Sequence, residues 1–300
     1  MLLVTGITGH TGRYFLEELI RHKYQGSIRC ILRKTSNTEM LDESNLKIEK
    51  IIGDLNDERV IEDSMKGVET VLHIYNIHHS PIIVKNAIKN NVKRVILVHT
   101  TGIYSKFKEA SEGYRRIEES VFELANNKDC LTEITILRPT MIYGDMCDSN
   151  MSKFIKMVNK FRIFPILNGG KSLLQPVNAR DLGKAFFQVL MSPSKTSGKC
   201  YDLSGEKPIK LIDVLTIISG KLGRKTMFIS IPMSVGILIA KLFKVITLNR
   251  FDYVEKVQRM SEDRSYSHLE AKQDFGYTPM PFVQGIENEV GEYLKNKESI

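Results

Sequence analysis

The 300-residue chain has no tryptophan and only four cysteines, Cys30, Cys130, Cys147 and Cys200. They stand far apart, with neither CxxC spacing nor ligand-like histidine partners. That argues against a disulfide frame or a zinc centre and for reduced thiols in a cytosolic protein. No run reaches the roughly 18 consecutive apolar residues that a spanning helix needs. The longest apolar stretch, Met233 to Leu248, is broken by Lys241 and Lys244. The opening Met1-Leu2-Leu3-Val4 already reads as a strand, with no basic segment or small-residue cleavage site, so no leader is expected. Acidic charge is in deficit: 43 Lys and Arg stand against 35 Asp and Glu, a formal +8. The positive residues are spread along the chain without a block of five or six and without interleaved aromatics. Nucleic acid is therefore not an expected partner, whereas a phosphate-bearing small ligand needs only a few of these charges. With 42% hydrophobic and 26% charged residues, the chain can bury a sizeable core.

β-Branched runs at Leu2–Thr5, Ile28–Leu32, Leu46–Ile52, Val71–Tyr75, Val95–His99 and Ile134–Leu137 read as strands. Between them lie amphipathic helical patterns at Gly12–His22, Asp57–Met65, Pro81–Asn91 and Arg115–Ala125. Strands separated by helices make βαβ units, and right-handed crossovers turn these into a doubly wound parallel sheet of Rossmann type. After Tyr143-Gly144 the pattern changes. A helix is expected over Met151–Phe161, and Asp181 reads as the N-cap of a helix running through Leu190. Further helices are expected at about Leu211–Leu222, Ser234–Val245, Tyr253–Ser261 and Phe282–Leu294, with short strands near Tyr201–Leu203 and Met227–Ile231. The expected architecture is α/β, with a nucleotide-binding domain of residues 1–145 plus about 176–205. A smaller, mostly helical C-terminal lobe takes about 146–175 and 206–300. The segment Pro232–Leu248 is apolar nearly all round, so it is expected as a buried helix of the lobe, with contact to a membrane surface as the alternative.

The most informative segment is Val4-Thr5-Gly6-Ile7-Thr8-Gly9-His10-Thr11-Gly12, which follows the first strand and opens the first helix. Gly6 allows a tight turn, Gly9 a close approach of backbone to a pyrophosphate, and Gly12 close packing of helix on strand. The helix N-terminus adds N–H donors and partial positive charge for the phosphates. In such folds an acidic residue about 20 positions beyond the glycines holds the ribose 2′-hydroxyl of NAD. Arg33 and Lys34 stand there instead and suit a 2′-phosphate, so NADP is the expected cofactor and NAD the alternative.

The Gly-x-x-Gly-x-x-Gly spacing resembles that of the short-chain dehydrogenase/reductase superfamily, in its extended and atypical branches of nucleotide-sugar epimerases, dehydratases and relatives. Gly53-Asp54-Leu55 matches the adenine-contacting Asp of that family, and Lys93 to Tyr104 its fifth strand with an active-site hydroxyl. Leu137 to Gly144 resembles its nicotinamide-side segment, Gln175 to Asp181 the following helix start, and Phe275-Gly276-Tyr277-Thr278-Pro279 a feature of extended members. The resemblance covers about residues 1–190 well. It implies cofactor contacts from Gly6, Thr8, Gly9, His10, Thr11, Gly12, Arg33, Lys34, Asp54, Leu55, Tyr75, Pro139 and Ile142. It also implies a small-molecule substrate and a homodimer paired through the two helices flanking the active site.

In this superfamily a Tyr exchanges a proton with the substrate oxygen, kept acidic by a Lys four residues on, while a Ser or Thr hydrogen-bonds the same oxygen. Aligned along the fifth strand, Thr100 is the hydroxyl, with Thr101 as the fallback, and Tyr114 is the tyrosine. The Lys position holds Glu118. A carboxylate there would raise the Tyr pKa by repulsion and remove the cation that holds the nicotinamide ribose. Tyr104 and Lys108 have the literal spacing but stand just past the strand, where no helix is expected, so they are set aside unless the loop folds unusually. His73 reads as a satisfied buried histidine, and His78 and His79 as a solvated loop near the pocket. Arg138 either contacts phosphate or pairs with a carboxylate such as Asp181. Extended members often place an Arg where Leu174 or Gln175 stands here, which argues against a nucleotide-diphosphate substrate. Two functions stay open. One is an NADP-preferring oxidoreductase, epimerase or dehydratase moving hydride at a carbonyl or secondary alcohol of a sugar-like or other small polar substrate. The other is a cofactor-binding redox sensor or structural subunit whose chemistry Glu118 has removed.

Overall fold

In the computed structural model, which describes residues 1–126, 130–247, 250 and 253–298, every one of the six β-branched runs forms a strand. The first half runs β1 (Leu2–Thr5), α1 (Gly12–Arg21), β2 (Ile28–Leu32), α2 (Glu39–Asp42), β3 (Ile48–Ile52), α3 (Glu58–Ser64), β4 (Thr70–His73), α4 (Ser80–Lys89), β5 (Arg94–Val98), α5 (Lys108–Ala125) and β6 (Glu133–Pro139). It continues through β7 (Ile142–Tyr143), α6 (Met151–Lys160), β8 (Ile163–Leu167), β9 (Leu173–Leu174), β10 (Val177–Asn178), α7 (Ala179–Met191), α8 (Pro193–Thr196) and β11 (Cys200–Leu203). The remainder is β12 (Ile209–Lys210), α9 (Leu211–Lys221), β13 (Met227–Ile231), α10 (Met233–Ile246), α11 (Val254–Arg259), α12 (Leu269–Phe275) and α13 (Phe282–Glu298).

Seven strands make one parallel sheet in the order β3-β2-β1-β4-β5-β6-β11. Alternation along each strand sends side chains to two faces. Leu2, Val4, Leu72 and Ile96 meet Phe15 and Leu19 of α1 and Leu182 and Phe186 of α7. Leu3, Val71, Val95 and Leu97 meet Ile61, Ile83, Val84 and Val121 of α3, α4 and α5. The result is a Rossmann-like sheet covered on both faces. Its order reverses between β1 and β4, which opens a crevice at the carboxyl ends of those strands. A third core joins α6, α9 and α13 through Ile155, Val158, Val214, Ile218, Ile286 and Val290.

Three expectations are corrected. α5 begins at Lys108 rather than Arg115: Gly113 masks the first turns in the sequence, while Ser111 Oγ donates to the Phe107 carbonyl at 3.1 Å to secure them. α7 is capped by Asn178, whose side chain accepts from Arg180 N–H at 3.0 Å. Asp181 sits inside the first turn and accepts from Met280 N–H at 2.9 Å, because the helix starts directly after β10. α10 is not a buried lobe helix: of its residues only Gly236 and Ala240 are buried, and Leu248 beyond it lies outside the described residues. Among the described residues no helix is long and apolar enough to cross a membrane.

Candidate functional site

Two glycines of the turn after β1, Gly6 and Gly12, stand where a side chain does not fit. Gly6 has φ +78°, and a Cβ on it would lie 2.9 Å from the Tyr75 backbone nitrogen. A Cβ on Gly12 would lie 2.1 Å from the Gly6 carbonyl oxygen. Gly9 N–H donates to that same oxygen at 3.0 Å and closes the loop. α1 then starts with no side-chain cap from Thr11 and no acidic residue in its first turn. Its N–H groups and positive dipole end therefore face outward, as a pyrophosphate requires.

These residues open onto a cavity of about 310 Å³. Gly6, Thr8, Gly9, His10 and Thr11 line one side of it. Arg33, Asp54, Leu55, Tyr75 and Ile142 line the other. Gly12 lies behind the loop as a packing residue. Lys34 is exposed, and Pro139 is buried at the end of β6, where its carbonyl accepts the Thr101 hydroxyl at 3.3 Å. Arg33 is exposed at the far end, its backbone N–H donating to Ser36 Oγ at 3.1 Å. Asp54 stays close to its own turn, accepting from the backbone and side chain of Asn56, both at 2.9 Å. The cradle and the uncapped helix fit a dinucleotide.

A second cavity, about 430 Å³, adjoins the first, and His10 and Ile142 line both. Thr100, Thr101 and Gly102 enter it from the end of β5. Thr100 Oγ1 accepts Gly102 N–H at 3.0 Å and caps the short 3₁₀ turn Thr101–Tyr104. A methyl group built on Gly102 would meet the Tyr114 ring at 3.0 Å and Thr100 Oγ1 at 3.3 Å, so those two side chains flank one glycine. Tyr114 itself is half-buried beside the cavity rather than among its lining. At the junction, His10 Nε2 lies 3.0 Å from Asp145 Oδ1. Asp145 Oδ2 also accepts the Tyr14 hydroxyl at 2.8 Å and a hydrogen bond from Arg13. Burial would raise the Asp145 pKa, but the hydrogen bonds from His10 and Tyr14 prevail and hold it well below the usual range. Sequence reasoning placed His10 at the cofactor and missed Asp145, since nothing in spacing joins residues so far apart.

The floor of the second cavity carries Arg259 and Arg264, each with a buried Nε that has no hydrogen-bond partner. Burial, then the charge of Arg259, lowers the Arg264 pKa. The nearby Glu262 offsets this only in part, and its oxygens accept from Ser105 Oγ at 2.9 Å and Lys106 N–H at 2.7 Å. Neither arginine was visible as a site residue in the sequence, because the lobe carries no readable motif. Among the described residues no cluster of His, Cys, Asp and Glu is arranged to hold a metal.

The position of the expected lysine is settled by a buried cluster. Glu118 accepts from Arg138 Nε at 2.9 Å and Arg138 Nη2 at 2.5 Å, and His99 Nδ1 lies 3.0 Å from its Oε1. Burial acts to raise the Glu118 pKa, yet the hydrogen bonds from Arg138 and His99 outweigh it and keep the carboxylate charged. Arg138 therefore pairs with Glu118 and not with Asp181. Tyr104 donates to Asp202 at 2.9 Å and accepts from Arg138 at 3.1 Å. It stands on the 3₁₀ turn while Lys108 opens α5, so the two share no helix face. His73 is buried between Thr5 Oγ1 at 2.6 Å and the Asn76 carbonyl at 3.1 Å, its pKa pushed down to about 3 by burial. His78 is exposed and His79 half-buried, with its Nε2 3.2 Å from Asn56 Oδ1.

Known structures share this fold. A dTDP-glucose 4,6-dehydratase from Streptomyces venezuelae, solved with NAD, superposes with a TM-score of 0.74 at 16% identity over 99% of this chain and 98% of that one. A UDP-glucose 4-epimerase from Thermotoga maritima, solved with UDP-glucose, gives 0.72 at 15% identity over 99% of each chain. At such identities the likeness shows the fold alone. In sequence, the Sterol demethylase protein B of Methylococcus capsulatus is 38% identical over 71 residues, 24% of this chain and 20% of that protein. The mitochondrial NADH dehydrogenase [ubiquinone] 1 alpha subcomplex subunit 9 of Arabidopsis thaliana is 24% identical over 108 residues, 36% of this chain and 27% of that protein. The chain thus matches about a fifth to a quarter of the length of these relatives. The NmrA-like family, by contrast, matches continuously over residues 1–275, and the chain belongs to it.

Proposed function

We propose that the protein binds NADP(H) at the glycine turn and moves hydride at a carbonyl or secondary alcohol of a small anionic substrate. The observation that carries this reading is the pair of adjoining cavities, one at the glycine cradle, the other floored by Arg259 and Arg264. A bound nicotinamide would supply or accept the hydride. Gly9 and the α1 N-terminus would hold the pyrophosphate. Arg33, with Lys34 beside it and no carboxylate in the position NAD requires, would hold a 2′-phosphate. Thr100 would orient the substrate oxygen and Tyr114 would exchange its proton. In this reading residues 1–145 and about 176–205 form the nucleotide-binding part, while the rest supplies the substrate arginines.

A second reading is favoured by Glu118. With Arg138 bound to it, no cation is directed from that position toward Tyr114, so the protein would bind cofactor without turning over. The NmrA-like family includes redox-sensing regulators.

Titration with NADPH and NADH, followed by a panel of carbonyl compounds with and without carboxylate or phosphate groups, separates the two. The enzyme reading expects NADPH to bind at least about tenfold tighter than NADH, the preference falling in Arg33→Glu. It expects turnover that Tyr114→Phe abolishes, and a KM that Arg264→Gln raises about tenfold or more for anionic substrates only. Tight NADPH binding without turnover on any compound selects the sensor. Failure to bind either nucleotide overturns both.

A further inference from the structure

On α10 the usual arrangement of a surface helix is inverted. The inner face carries the small residues Gly236 and Ala240, the former packed against Leu167. The outer stripe, at helical spacing, is Val235, Leu238, Ile239, Leu242, Val245 and Ile246, each between 41% and 78% exposed. A solvated helix places such residues on the core side. The preceding two-stranded sheet, whose Leu167 packs against Gly236, also exposes apolar residues. β8 and β13 pair in parallel with Ile163 opposite Met227 and Pro165 opposite Ile229, and all four are exposed. An exposed apolar patch of this kind marks a contact surface.

What surrounds it identifies the contact. From Ser149 to Arg180 the chain has six Lys and Arg and no Asp or Glu, and from Val214 to Phe251 again six and none. These stretches include β8, β13 and α10; of their cations, Arg180 pairs with Glu292 and Lys221 with Glu287. The starts of β8 and β13 enclose a cavity of about 320 Å³ lined by Lys160, Arg162, Arg224 and Lys225. Among the described residues none of these four forms an ion pair with a carboxylate. A symmetric dimer through this face would bring the same basic rim against itself. Nucleic acid would leave the aliphatic stripe in water.

We infer that this face docks on an anionic bilayer. The aliphatic residues of α10 and the β8–β13 face enter the acyl boundary, while the basic cavity beside them receives lipid phosphates. The helix lies on the surface and does not cross it. This inference is independent of the proposed catalysis.

The test is flotation of the full chain with vesicles of phosphatidylcholine alone and of phosphatidylcholine mixed with phosphatidylglycerol. Binding is expected only to the mixed vesicles and weakens with added salt. Surface cations contribute about fivefold each, so Arg224→Glu with Lys225→Glu is expected to weaken binding at least about 25-fold. Leu238→Ser with Leu242→Ser is expected to abolish it. Both positions are exposed, so thermal unfolding of each variant should match the parent and separates lost binding from lost folding. Absence of binding to the mixed vesicles overturns the inference, as does binding indifferent to the charge reversal. A concentration-dependent dimer that the Leu238→Ser, Leu242→Ser variant dissolves would also overturn it, by giving the face to a second copy.

Discussion

Glu118 receives hydrogen bonds from two groups reached through different strands, the half-buried Arg138 on β6 and the buried His99 just past β5. His99 is fixed in turn, its Nε2 lying 2.9 Å from Ser80 Oγ. Removing one partner of such a pair leaves an uncompensated buried charge, at a cost of about 3–5 kcal/mol. Glu118→Gln is therefore expected to destabilise by about 3 kcal/mol in denaturant unfolding. Glu118→Lys, which restores the lysine of the superfamily, should destabilise more, since it sets two cations face to face. Glu118→Met combined with Arg138→Leu should recover most of the loss. A stable Glu118→Lys protein would show that the pair is not what holds this region. None of this cluster was legible in the sequence. Glu118 was read only as standing where the superfamily has its lysine, and the carboxylate partner of Arg138 was sought at Asp181, which instead accepts from Met280 N–H. Pairing across β5 and β6 is a property of sheet order, which residue spacing does not carry.

The strand, turn and helix of β1–α1 were readable because each glycine answers a local demand. The demands differ, and substitution distinguishes them. At Gly12 the added Cβ meets backbone at 2.1 Å, so Gly12→Ala must open the turn. It is expected to cost about 1–3 kcal/mol of stability and to abolish dinucleotide binding. At Gly9 the nearest atom is the Gly6 carbonyl at 3.1 Å, a contact that a small shift relieves. Gly9→Ala should therefore fold nearly as the parent yet bind NADPH at least about tenfold more weakly, as thermal unfolding and titration would report. Equal binding would mean that phosphate does not approach there. Elements without such local signals were harder to read. β8 holds Pro165, which ordinarily argues against a strand but is accepted in a two-stranded ribbon. α10 was recognised as a helix, but its apolar composition concealed which face would be outward.

Across the whole molecule two buried groups set opposite limits on pH. Burial, then the neighbouring Asp148, pushes the Glu289 pKa up to about 10 from 4.5. A folded pKa above the unfolded one gives stability that is present below about pH 4.5 and lost as pH rises toward 10. His73, pushed down to about 3 from 6.5, acts the other way, and its contribution is lost as pH falls from about 6.5 toward 3. Glu289→Gln should thus lose less Tm than the parent between about pH 6 and pH 9, a difference differential scanning calorimetry resolves. Parallel decline of the two proteins would place the charge elsewhere. At this scale the Rossmann sheet and its glycine turn were legible from alternation and glycine spacing, while Arg259 and Arg264 came from a lobe without pattern. The net charge was read correctly as a sum, yet its concentration in acid-free stretches shows only when acids are mapped as carefully as bases. The sheet is completed late in the chain. Its last strand, β11, and the helix that covers α1, α7, follow β6 only after the lobe segments between them. At translation rates of about 5–20 residues per second, β6 waits on the order of 3–12 s on the ribosome for its neighbour. During that interval the nascent chain offers an open strand edge and a bare helix face, so its yield in the cell should depend on what shelters the chain before Leu203 emerges.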